Sequence, residues 1–104
     1  MITVTFTEKG KRLSLRVEGH ARYAEHGKDI VCASASILTY TLASIVDSID
    51  GVKTSINLDS GDSTIDCECE DNETFAMVAD VYAFAKRGYV LLAQNYPQYV
   101  RLMP

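Results

Sequence analysis

The chain has 104 residues, 47% hydrophobic and 23% charged, with a formal net charge of −4. That length is expected to fold as one domain, residues 1–104, whose single core removes roughly 65% of the unfolded chain's surface from water. The composition excludes disorder, and the acidic balance excludes the basic stripe that phosphate-gripping proteins carry, so no direct nucleic-acid contact is expected.

The densest basic cluster, Lys9, Lys11 and Arg12, surrounds a single turn, and the mildly acidic remainder suits a basic partner. Three cysteines without a secretory leader pattern predict reduced thiols in a cytoplasmic protein. No apolar run approaches the roughly 20 residues of a membrane helix, so no membrane contact is expected.

Ile2, Val4 and Phe6 alternate with Thr3, Thr5 and Thr7, the period of a half-buried strand. Lys9-Gly10 turns the chain, and Leu13, Leu15 and Val17 alternate with Ser14, Arg16 and Glu18 to close a hairpin. Residues 19–29 follow neither period and form a loop with Gly19 and Gly27 near its ends. Asp29 is a good helix N-cap, and Ile30 to Ile49 follow without proline or glycine. Along that helix Ile30, Ala33, Ile37, Leu38, Leu42, Ile45 and Ile49 recur near helical spacing, and Asp50-Gly51 ends it.

Val52, Thr54, Ile56 and Leu58 begin a second hairpin, turned at Ser60-Gly61-Asp62 and returned through Ile65, Cys67 and Cys69. A second helix starts near Asp71 or Asn72 and runs to about Asn95, before Pro97. Its inner face is Phe75, Val78, Ala79, Tyr82, Ala85, Tyr89 and Leu92. All four strands are apolar on one face only. Both helices must therefore pack on that face, which predicts an α+β two-layer sandwich, β-β-α-β-β-α, with a four-stranded, mainly antiparallel sheet.

Chemistry concentrates in Gly19-His20-Ala21 and Asp29-Ile30-Val31-Cys32-Ala33. Cys32 falls in the first turn of the first helix, where unpaired N–H groups and the helix dipole favour an anion, the form in which a thiol attacks. The same N–H groups are suited to the oxyanion that such an attack creates. His20 leaves the second strand on a loop able to fold over that helix start, so thiol, base and oxyanion donors are all within the chain's reach. Taken by spacing alone, a cysteine in an apolar helix is more often core and a histidine at a strand end more often solvated.

Gly19-His20-Ala21, Gly27, Asp29-Ile30-Val31-Cys32-Ala33 and Ser36 resemble the signature of the ribosomal-processing cysteine proteases. The resemblance extends to chain length and element order. It implies that His20 and Cys32 are the catalytic pair, and that the substrate is the N-terminal extension of the large-subunit ribosomal protein numbered twenty-seven. It also points toward a homodimer.

Supporting candidates are Gly19, Asp29 and Ser36. Asp29 either orients His20 or only caps the helix; Ser36, one turn beyond Cys32, either bonds within the site or back-bonds to a carbonyl. His26, beside Glu25 and Lys28, is a competing base expected to be solvated. Cys67 and Cys69 face the core. No cofactor or metal site is expected, because no Cys-x-x-Cys or nearby histidine pair completes a ligand set. Gly19 and Gly27 are hinges for a loop expected to move when empty and to order over a peptide. Two other functions fit the same residues: a thiol redox sensor using Cys32, and a non-enzymatic ribosome-associated binding module using the polar sheet face.

Overall fold

The alternating segments pair as their pattern demands. β1 (Ile2–Lys9) and β2 (Arg12–Glu18) form an antiparallel hairpin with Phe6 opposite Leu15 and Val4 opposite Val17. β3 (Val52–Asp59) and β4 (Asp62–Cys69) form the second, with Ile56 opposite Ile65. β2 and β4 join the two, setting Leu13 against Cys67 and Leu15 against Ile65. Because side chains alternate across a strand, this register puts Leu13, Leu15, Ile65 and Cys67 on one face. The opposite face holds Ser14, which hydrogen-bonds Asp66, and the exposed ion pairs of Arg16 with Glu18 and Asp62.

The computed structural model describes residues 1–104. Two helices cover the apolar face, α1 (Ile30–Asp47) and α2 (Asn72–Asn95), as the sequence predicted. The α2 face is also the predicted one: Val78, Tyr82, Ala85, Tyr89 and Leu92 are buried, with Phe75 and Ala79 packed beside them. The buried Tyr82 hydroxyl donates to the Ile65 carbonyl at 2.8 Å, so a polar tip reaching the sheet is satisfied.

Two expectations need correction. The sheet has five strands, ordered β3-β4-β2-β1-β5, because β5 (Val100–Leu102) adds parallel to β1 with Val100 beside Ile2. Three residues are too few to display an alternation, and this strand exists because β1 offers a free edge to the chain returning past Pro97.

The second correction concerns α1. Its buried stripe is Val31, Ala35, Thr39, Leu42, Ala43 and Val46, whereas Ile30, Ile37 and Ile45 are exposed, and it ends at Asp47 with Ser48 as cap. Contrary to the expectation that no apolar run approaches a membrane span, this helix is apolar nearly all round, long and apolar enough by composition alone to cross a membrane, so its own periodicity did not select a face. Packing against α2 did. Tyr89 hydrogen-bonds the Thr39 hydroxyl and donates to the Ala35 carbonyl at 3.3 Å. A Cβ on Gly88 would lie 2.6 Å from a Leu38 methyl. Small and hydroxyl-bearing residues therefore mark the closest approach of the helices.

Candidate active site

The loop between β2 and α1 is held at several points along its length. Gly19 donates its N–H to the Gly61 carbonyl at 2.9 Å, and a side chain there would collide with the Met1 carbonyl. Ala21 is buried as a plug, while His20 beside it is exposed. Tyr23 packs edge-on against Tyr96 and Tyr99, with ring centroids 5.6 and 5.2 Å away.

Asp29 closes the loop. One carboxylate oxygen accepts from the Val31 and Cys32 N–H groups at 3.0 and 2.9 Å, capping α1. The other accepts from Tyr23 and Ala24 at 2.9 and 3.2 Å, pulling the loop onto the helix start. Burial raises the carboxyl pKa, but these four donors outweigh it and hold Asp29 below the ordinary aspartate value. Every one of its hydrogen bonds goes to backbone N–H, so the carboxylate is a cap and a clamp rather than a partner of His20.

That clamp alters one expectation. Val31 and Cys32 donate to the Asp29 carboxylate, and Ala33 donates to the Asp29 carbonyl at 3.0 Å. First-turn N–H groups assigned to an oxyanion from sequence are thus engaged, because a good N-cap consumes the donors that make a helix start anion-binding.

Two adjoining hollows of about 550 and 320 Å³ meet at this point, and His20, His26, Cys32 and Ser36 line both. The loop forms one wall and the first turns of α1 the floor. The end of the β3–β4 hairpin, Leu58 to Gly61, forms the other wall. His20 from a strand end and Cys32 from a helix start therefore share one cleft. Cys32 is partly exposed, as a nucleophile must be. Ser36 makes neither of the bonds weighed for it; the adjacent Ser34 is the one that back-bonds, to Ile30 at 2.6 Å.

His26 is exposed, as its polar neighbours predict, yet it stands at the rim of the same cleft. Cys67 and Cys69 are buried, and burial pushes both thiols up. The largest hollow, about 630 Å³, lies on the open face of the sheet beside Arg12, Lys53 and Glu68, with no partly exposed thiol. Sequence reading missed the β3–β4 turn as part of the site, since Ser60-Gly61 signals only a turn until the fold brings it to His20.

Residues 1–101 match the family model described as cysteine protease Prp. The chain belongs to that family. The ribosomal processing cysteine protease Prp of Staphylococcus aureus strain Mu50 is 36% identical over 61 residues, 57% of this chain and 58% of that relative's length. The matched stretch is thus a little over half of the curated relative. Among solved structures, S. aureus Prp with a covalently linked product peptide superposes with a TM-score of 0.84 at 24% identity, covering 98% of this chain and 97% of that one. A Streptococcus mutans protein gives 0.74 at 28% identity over 98% and 91%. In this chain the five-stranded α+β fold brings His20 and Cys32 to one cleft.

Proposed function

We propose that this chain is a cysteine endopeptidase that removes the N-terminal extension of the large-subunit ribosomal protein numbered twenty-seven, with Cys32 as nucleophile and His20 as general base. The observation that carries the reading is the shared cleft: a partly exposed thiol at a helix start and a histidine on the loop above it. His20 accepts the Cys32 proton as sulfur attacks the scissile carbonyl carbon, and returns it to the leaving amine as the C–N bond breaks. Water then cleaves the thioester, releasing the new carboxylate and restoring the thiol. Ser36, with a free hydroxyl one turn beyond Cys32, is the donor available to the oxyanion in place of the first-turn N–H groups.

The relative's designation as a ribosomal processing protease supports a ribosomal substrate, and the peptide complexes of S. aureus Prp support a peptide as ligand. The mildly acidic chain suits the basic end of a ribosomal protein better than it suits RNA. Exposed apolar side chains on the helix layer, Ile37, Met77 and Phe84, support a homodimer. We place the protein in the cytoplasm, where ribosomes mature and thiols stay reduced. A redox sensor would need a resolving thiol in the cleft, and both other cysteines lie in the core.

The test is to mix the purified protein with the full-length precursor and weigh the products. Wild-type protein should release one N-terminal fragment. Cys32→Ser should bind the precursor and release none, a loss of at least about 10³-fold, since serine is a far weaker nucleophile in a site built for a thiolate. Cleavage by Cys32→Ser at the wild-type rate would sink the reading.

A further inference from the structure

We propose that Gly61, in the turn between β3 and β4, is a positioning residue for His20. This rests on the assignment of His20 as the base. A Cβ built on Gly61 would stand 2.6 Å from His20 Nε2, 2.9 Å from Cε1 and 3.4 Å from Cδ2. The imidazole therefore lies directly across the glycine, in space that any other residue would fill. Gly61 also accepts the Gly19 N–H at 2.9 Å, so one residue holds the backbone before His20 and, by lacking a side chain, leaves the space its ring occupies. Gly61, His20 and Cys32 line the same hollow.

Conformation alone would already favour glycine there, because Gly61 has φ 76°. The other hairpin separates that demand from the crowding. Gly10 has φ 59° in the β1–β2 turn, but a Cβ on it would meet nothing within 4 Å. Alanine at either position suffers the left-handed backbone; only at Gly61 does it also push on the imidazole. His20 is an exposed side chain on a loop, so the ring yields rather than the fold. Damage at Gly61 should appear in catalysis out of proportion to stability, since a small misplacement of a base costs rate steeply.

The experiment compares Gly61→Ala, Gly10→Ala and His20→Ala with wild type, by thermal unfolding, by kcat and KM on the precursor peptide, and by the proton NMR resonances of the His20 ring. Gly61→Ala and Gly10→Ala should lose similar thermal stability. Gly61→Ala alone should lower kcat, by roughly 10- to 100-fold, with KM within about twofold and with the His20 resonances displaced. Should Gly61→Ala match Gly10→Ala in kcat and leave the His20 resonances in place, the positioning role is overturned while the catalytic assignment stands. If His20→Ala cleaves at the wild-type rate, it is the underlying assignment that falls.

Discussion

Cys32 differs from the other two cysteines in access and surroundings. Cys67 and Cys69 are 2% and 3% exposed, and burial disfavours their thiolates; the Tyr82 hydroxyl donating to the Cys67 sulfur at 3.3 Å offsets that only in part. Dilute iodoacetamide at neutral pH should therefore alkylate Cys32 first, read by mass spectrometry of peptides, and modification of Cys67 or Cys69 at an equal rate would contradict this account. Asp29 makes a separate claim. Its carboxylate ties Tyr23 and Ala24 to the start of α1, so Asp29→Ala should remove a cap and a loop clamp together and cost about 1–2 kcal/mol by urea unfolding. The pH dependence has a definite sign. With the folded pKa held below the unfolded one, this stabilisation is complete above about pH 4 and is lost as the pH falls through the folded value. Asp71, which caps α2 through Thr74, is lowered in the same way, so Asp29→Ala should flatten the acid limb only in part.

Among the elements, the loop over the site is where sequence and structure part most. Its two glycines suggest a lid free from Gly19 to Asp29. The structure fastens it by Gly19 to Gly61, by buried Ala21, by Tyr23 between two tyrosines, and by Asp29 to Tyr23 and Ala24. Motion should then be confined to the exposed segment Glu25–Lys28, which a single turn bond from the Lys28 N–H to the Glu25 carbonyl closes at 2.9 Å. Hydrogen exchange should show that segment protected by an uncleavable peptide, while Tyr23 and Ala24 are protected with or without it. Tyr23→Ala removes two edge-on aromatic contacts of roughly 0.5–1.5 kcal/mol each and should extend fast exchange back to Tyr23, raising KM more than it lowers kcat. Fast exchange of Tyr23 and Ala24 in the unliganded wild type would refute the fastening.

At the scale of the molecule, packing α1 and α2 on the sheet leaves large apolar side chains facing outward. On α2, Met77, Phe84 and Leu91 stand at seven-residue spacing and are 52%, 80% and 51% exposed. On α1, Ile37 is exposed as well. A second copy covering this layer would remove that surface from water. Phe84→Lys should then convert a dimer to a monomer in sedimentation, with the fold intact by circular dichroism. A wild-type protein already monomeric at micromolar concentration would count against the homodimer.

What this sequence determined by itself is what local chemistry determines. Strict alternation placed the two hairpins and their buried face, because a one-residue slip would have put Leu15 and Ile65 into water. Asp29, Asp71 and Pro97 bounded the helices through caps and a missing donor. Gly-His-Ala and Asp-Ile-Val-Cys marked His20 and Cys32 through family resemblance rather than spacing. Tertiary structure alone decided the rest. It chose the Val31–Ala35–Leu42–Val46 stripe of an all-round apolar helix, since only contact with α2 and the sheet distinguishes one apolar face from another. It recruited Val100–Leu102 to an open edge and spent the α1 donors on Asp29. It also carried the β3–β4 turn to His20, a meeting of residues 41 positions apart that no local pattern encodes.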